Sequence, residues 1–232
     1  MIRVERALVL VVLAVYAPPS GARQPDQKTF SSPEEVADAL FLAVQARDKE
    51  GLSQLLGEDE ELFAVDDETQ DDLDRRRFLE KFREMHRLAY EPEGTVLYIG
   101  AENWPFPIPL TSNDGAWSFD TEAGMNEILF RRIGANESSA IDICHALARS
   151  DGDAATFLEK PVPIHGYYFR ALSAGGKPAS FMAYPAEYGS SGVMTFVVDH
   201  DVMYERDLGP RTANAAKSMS RYKPDSTWHA VQ

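Results

Sequence analysis

The sequence predicts an α+β fold in which N-terminal helices pack on an antiparallel sheet, followed by a C-terminal four-strand antiparallel meander with a terminal helix. Three observations carry this. Between residues 30 and 90 apolar positions recur at helical spacing behind recognisable helix starts. From 95 to 120, and again from 167 to 205, short β-branched and aromatic runs are punctuated by turn residues. A further helical pattern, 121 to 149, separates the two β-rich stretches.

The N-terminus reads first. Arg3 and Arg6 precede the apolar run Ala7 to Ala17, and Pro18, Pro19 and the small residues Ser20-Gly21-Ala22 follow. That order is a secretory signal peptide over residues 1–22, too short in its apolar part to span a bilayer, with cleavage expected after Ala22. The expectation is an exported protein, periplasmic or extracellular, with no membrane span after cleavage. Loss of two cations and one anion takes the formal charge from −14 to −15. Such a surface repels phosphate backbones and anionic headgroups, so nucleic acid is not an expected partner. A single cysteine, Cys144, excludes an internal disulfide.

Ser32 as N-cap, Pro33 at the first helical position and Glu34 and Glu35 in the first turn start a helix that runs to about Arg47. It presents Val36, Leu40, Ala43 and Val44 on one stripe. A short helix, Lys49 to Leu56, stops at Gly57. Residues 58 to 74 hold ten carboxylates and read as a solvated loop. Arg75 to Ala89 then forms a helix with Phe78, Leu79, Phe82, Met85 and Ala89 on its apolar face and His86 at the border as a structural histidine.

Thr95 to Ile99 begins the strands, and AENWPFPIPL at 101–110 follows. Alternation puts Trp104, Phe106, Ile108 and Leu110 on one face and Pro105, Pro107 and Pro109 on the other. The segment reads as a strand that pairs with 116–120 through the edge carrying Phe106 and Ile108, while the prolines withhold donors from the opposite edge. Thr121 to Arg131 reads as a helix, Gly134 as its C-cap, and Asn136 as the N-cap of a second helix to Arg149. Residues 23–153 form the N-terminal lobe, 154–165 the connector, and 166–232 the meander lobe. Its strands are Tyr167–Leu172, Ser180–Tyr184, Val193–Val198 and Val202–Glu205, with a turn at Ala174–Pro178, a helix near Thr212–Met219 and Trp228 as an anchor.

Several long stretches occur in order along the chain: ENWPFPIPL with WSFDT, RRIGANE, HGYYFRAL, YPAEYGSSGVMTFVV, YERDLG and YKPDSTW. Through them the chain resembles the exported bacterial family catalogued as domain of unknown function 2950, over residues 29 to 228. The resemblance implies export and an α+β fold, and it implies no reaction or catalytic residue. Other members carry a longer segment between Arg149 and Gly166. The meander is also similar in style to the sheets of exported pilin-like proteins, an analogy of fold alone.

The reactive-looking side chains also fit plain structural roles. Cys144-His145 would suit an activated thiol, but neighbours on a helix point about 100° apart, and Cys144 lies on the apolar stripe. Gly189-Ser190-Ser191-Gly192 enters a strand, whereas a nucleophile elbow enters a helix. Asp199-His200-Asp201 reads as a hairpin turn. No metal and no cofactor is expected. The expected ligand surface is aromatic with a few charges: His165, Tyr167, Tyr168, Arg170, Glu187 and Tyr188. The leading functional reading is a non-catalytic envelope protein that binds a small molecule or a protein partner. The alternatives are an exported hydrolase with a site between the lobes and a structural or assembly subunit.

Overall fold

The computed structural model describes residues 27–57, 68–92, 94–150, 162–172, 180–223 and 225–231. The leader at 1–22, the carboxylates at 58–67, most of the 154–165 connector and the Ala174–Pro178 turn lie outside the described residues. The fold is α+β with antiparallel sheets, and the chain divides into two compact units, residues 1–121 and 122–232.

In the first unit, helix α1 (Pro33–Ala46) starts as its sequence predicts. The Ser32 hydroxyl accepts from Glu35 N at 3.2 Å, satisfying an orphan N–H of the first turn, and the Glu35 carboxylate accepts in return from Ser31 N, just before the cap, at 3.0 Å. The chain leaves α1 through Arg47 in the left-handed region. Helix α2 (Lys49–Leu56) is capped by Asp48, whose carboxylate accepts from Gly51 N at 2.9 Å. Its last carbonyls are satisfied from a distance: the Gln27 amide donates to Leu55 O at 2.8 Å and the Thr121 hydroxyl to Leu56 O at 2.7 Å.

Helix α3 (Glu68–Glu84) is displaced from the predicted Arg75–Ala89 by a full turn or more at each end. The acidic residues Glu68 to Asp74 are helical, since carboxylates suit the first turns of a helix as well as they suit a loop. At the other end strand pairing overrides the apolar periodicity. His86–Glu91 forms strand β1, paired through all six residues with β2 (Gly94–Ile99), His86 opposite Ile99 and Glu91 opposite Gly94. His86 is therefore a strand residue; its Nδ1–H donates to Phe82 O at 2.9 Å and its ring stacks on Phe82 at 4.1 Å.

The proline segment differs from the predicted single strand. Only Trp104–Pro105 (β3) and, after a gap, Leu110–Asn113 (β4) are strands, and both pair with β2. Pro105 faces Tyr98 and Leu110 faces Thr95, so two more residues lie on the proline side than opposite it, and the stretch bulges there. The Phe106 N–H goes to Leu97 O of β2 at 2.8 Å, not to residues 116–120. Nor is the proline edge left open: Pro109 O accepts from Asp120 N at 2.8 Å, beside β5 (Ala116–Phe119), which pairs with β4. Ile108 and Leu110 are buried as predicted, whereas Trp104 keeps 41% of its surface. Val36, Leu40, Leu55, Leu79, Phe82, Leu97, Ile99 and Phe119 are among this unit's other buried apolar residues.

The second unit begins with a long helix, α4 (Thr121–Arg149), which starts at the last residue of the first. It runs through Gly134 and Asn136, where a break was predicted. The supposed cap residues have tertiary duties instead: Asn136 Nδ2 donates to Ser191 O at 2.9 Å, and Glu137 Oε1 accepts from Val193 N and Met194 N at 3.0 Å each.

Helix α4 covers one face of a sheet ordered β6-β7-β8-β9-β10: β6 Tyr167–Leu172, β7 Ser180–Pro185, β8 Met194–Asp199, β9 Val202–Asp207 and β10 His229–Ala230. The predicted meander is present, extended by the short fifth strand. Ala140, Cys144 and Leu147 of α4 pack on Tyr167, Phe181, Ala183, Phe196, Val198 and Met203. On the opposite face Leu172, Met182, Tyr184 and Val197 pack on Ala216 of helix α5 (Thr212–Ser218) and on Trp228. Both faces are covered, which is why β7 and β8 read as nearly unbroken apolar runs. His200 and Asp201, both with positive φ, make the two-residue turn between β8 and β9.

Two glycines test this arrangement. A Cβ on Gly192 would lie 2.1 Å from the Tyr167 hydroxyl oxygen, while one on Gly134 meets nothing within 4 Å. In chemical denaturation Gly192→Ala is expected to lose about 1 to 3 kcal/mol through overpacking. Gly134→Ala is expected to gain about 0.5 to 1 kcal/mol as a helix-interior glycine; loss of stability there would instead restore the predicted C-cap.

Candidate functional site

The six residues read from the sequence as a ligand surface are distributed over two faces of the second sheet and its loops. Tyr167 points toward α4 and is fully buried; its hydroxyl donates to Met194 O at 2.9 Å beside the Glu137 carboxylate. Burial, reinforced by the Glu137 charge, holds its phenol well above the ordinary range. Tyr168, one residue on, takes the other face and lies against Tyr184 with ring centres 5.6 Å apart. Arg170 shares that face, and its Nη1 donates to Ala216 O and Lys217 O at 2.7 and 2.8 Å, satisfying terminal carbonyls of α5. His165 sits in a turn closed by reciprocal bonds between Ile164 and Tyr167. Glu187 is held through its backbone by Ser191, and the Tyr188 hydroxyl donates to Asp207 Oδ2 at 3.1 Å. Tyr167 is separated from Tyr168 and Arg170 by the sheet itself.

The reactive-looking motifs take structural places. Cys144 is fully buried in the α4 interface, and burial pushes its thiol up to about 12. The Ser191 hydroxyl accepts from Glu187 N and donates to Glu187 O, so both its roles are spent inside the turn. Asp199 accepts the Ser180 hydroxyl with one carboxylate oxygen, and its other lies 3.0 Å from Nδ1 of His200, whose side chain is 84% exposed.

A concave site is present elsewhere in this unit. A cleft of about 430 Å³ is lined by Arg206, Met219, Ser220, Arg221, Lys223, Asp225 and Trp228. Its assembly follows from strand register. On β9 Met203 faces α4, so Tyr204 and Arg206, spaced by two, share the α5 face. β10 pairs with β9, His229 opposite Glu205 and Ala230 opposite Tyr204, and the same register carried one residue further sets Trp228 opposite Arg206. The guanidinium lies 6.0 Å from the indole centre. Tyr222 packs beside these residues, its ring centre 5.2 Å from that of Tyr204 and edge-on to Trp228 at 5.4 Å.

The charges around this cleft are unevenly spent. Asp225 Oδ1 accepts from Thr227 N at 2.8 Å and from the Thr227 hydroxyl, while Oδ2 lies 3.9 Å from Arg206 Nη1. The hydrogen bonds from Thr227, aided by Arg206, hold the Asp225 carboxyl below its usual range. Arg221 and Lys223 have no ion pair among the described residues. The Tyr222 hydroxyl is buried without a hydrogen-bond partner, and burial, followed by the Tyr204 phenol and the Asp199 and Asp225 carboxylates, pushes it up to about 12. Of the lining residues only Trp228 stood out in the sequence, as an anchor. The available signal was the pair Arg221 and Lys223 two residues apart beside aromatic Tyr222, in an otherwise acidic chain.

These features define an α+β protein of two antiparallel-sheet units, the second carrying a basic cleft with an aromatic wall. The chain belongs to the family described as protein of unknown function (DUF2950), whose model matches residues 27–158 and 150–231. The two matched stretches overlap at residues 150–158, inside the segment read as shorter than in other members. No curated protein and no solved structure matches the chain.

The raised groups have a consequence at high pH. Cys144, Tyr167 and Tyr222 ionise less readily folded than unfolded, where thiols and phenols have values near 9 and 10. Between the unfolded and folded values the native state holds more protons, so the stability present below pH about 9 is lost as pH rises toward 12. Denaturation midpoints measured from pH 8 to 11 are expected to fall from about pH 9 upward, and Cys144 is expected to react with a thiol reagent only on unfolding. A flat profile or a reactive native thiol contradicts the burial described.

Proposed function

We propose that this is an exported, non-catalytic binding protein of the bacterial cell envelope, with the cleft between β9 and the segment after α5 as its ligand site. The observation that carries this reading is the chemistry of the cleft lining. Guanidinium groups do not give up protons in proteins, and Asp225 is held ionised by Thr227 and Arg206. The cleft therefore offers fixed charges and an apolar wall, which suits holding a ligand better than moving protons. Export is supported by the order of charged, apolar and small residues at 1–22. The partner is a small molecule or a protein segment small enough to enter a cleft of about 430 Å³.

Two measurements test the two halves. When the full chain is expressed in a bacterium, the exported protein is expected to begin at Arg23; retention in the cytoplasm with residues 1–22 intact removes the export half. A thermal-shift screen across small acids, bases and neutral compounds is expected to raise Tm with at least one chemical class, because a ligand that binds only the folded state stabilises it. Ser220→Trp, which fills the cleft from an exposed position, is expected to abolish that rise. Steady turnover of an ester, amide or phosphate ester that Ser220→Trp suppresses would sink the non-catalytic half.

A further inference from the structure

Resting on that reading, we infer that the cleft takes a small organic anion, a carboxylate or phosphate group attached to a flat apolar body. Three cations, Arg206, Arg221 and Lys223, meet one carboxylate, Asp225, in a chain whose formal charge is −14. An acidic protein that gathers three cations around one concavity has placed them against its own average. Arg221 and Lys223 carry no ion pair among the described residues, and the 3.9 Å from Arg206 to Asp225 exceeds a direct hydrogen bond. Much of the donor capacity around the cleft is thus unspent within the protein. A guanidinium presents its donors in a planar fork that matches a carboxylate or phosphate.

The apolar part of the lining sets the second requirement. Met219 and the largely buried Trp228 supply it, with Tyr222 edge-on to the Trp228 ring and the Arg206 guanidinium over it. An inorganic anion leaves that part without a contact, and a neutral apolar compound leaves Arg221 and Lys223 without one. The cleft also lies toward the small end of the range of about 300 to 1,000 Å³ typical of ligand pockets, which favours one ring with one acidic group over a polymer.

Asp225 then has a definable part. With Oδ1 tied to Thr227 and Oδ2 turned toward Arg206, it stands beside the cation that the ligand's acid must reach. It is a competitor of the ligand, and it sets selectivity by repelling anions that lack the apolar body to compensate.

The test is calorimetric titration of the purified protein with benzoate, phenyl phosphate, inorganic phosphate, benzylamine and benzyl alcohol. Benzoate or phenyl phosphate is expected to bind more tightly than the other three. Arg221→Gln with Lys223→Gln, at two exposed positions without ion pairs among the described residues, is expected to weaken that binding about tenfold while Tm stays unchanged. Asp225→Asn keeps an acceptor for the Thr227 turn and is expected to tighten it. The inference is overturned, with the binding reading still standing, if benzylamine or benzyl alcohol binds as tightly as benzoate. It is likewise overturned if inorganic phosphate matches phenyl phosphate, or if the Arg221 and Lys223 changes leave affinity unaltered. If no probe of any charge binds, and the broad screen also fails, both readings fall together.

Discussion

A single carboxylate oxygen organises the second unit. Glu137 Oε1 takes the N–H groups of Val193 and Met194, where the chain enters β8, the central strand of the sheet. Both bonds are part-buried and made to a carboxylate, and hydrogen bonds to a charged group contribute about 1.5 to 3 kcal/mol each. Asn136, the preceding residue, holds Ser191 O, so one turn of helix grips the whole entry to the strand. Gly192 between these grips has no side chain, and the Tyr167 ring fills the space. With β8 placed, β9 is set by a two-residue turn and β10 by its pairing with β9, and the indole of Trp228 arrives opposite Arg206. The cleft is the far end of a chain of constraints that begins at Glu137.

The same sheet separates two kinds of work. Its α4 face is dry and apolar, built from Cys144, Phe181, Phe196 and Met203 with the Tyr167 hydroxyl paired to a backbone carbonyl. Its α5 face grades from a packed centre at Met182 and Val197 to an aromatic margin at Tyr204, Tyr222 and Trp228, and then to cations. Arg170 joins the two regions of that second face. By satisfying the last carbonyls of α5 it fixes where the helix ends, and therefore where Met219 and Ser220 enter the cleft wall. A residue read from the sequence as a ligand contact thus contributes by positioning.

Much of the fold was legible because local chemistry and tertiary packing agreed. The Ser32 cap, the β6 to β9 meander and the His200-Asp201 turn are of this kind, each specified by residues within a few positions. Disagreement arose where a distant partner took over a local signal. Gly134-Ala135-Asn136 has the composition of a helix boundary, but Asn136 and Glu137 are engaged by residues 191 to 194, and the helix continues. Met85 to Ala89 has helical periodicity, but the β2 strand offers a full antiparallel ladder and the chain extends instead. The cleft was the least legible part. Arg206 and Trp228 are 22 residues apart, and only the β9–β10 register makes them neighbours. Single positions in a sequence carry no mark of that kind, whereas the aromatic residues near Tyr167 were conspicuous, and of the six residues named there Tyr167 is the one buried in the core.

The placement of Arg206 also bears on how the sheet avoids error. Met203 and Arg206 belong to opposite faces of β9, one dry and one wet. A slip of one residue in the pairing exchanges the faces: Met203 leaves the apolar set around Cys144 and Phe196 for the side that holds Tyr222 and Trp228, and Arg206 leaves the cleft for the side now held by Glu205. The apolar contact of Met203 that stabilises the aligned sheet is therefore also what keeps the guanidinium on the side where the cleft forms.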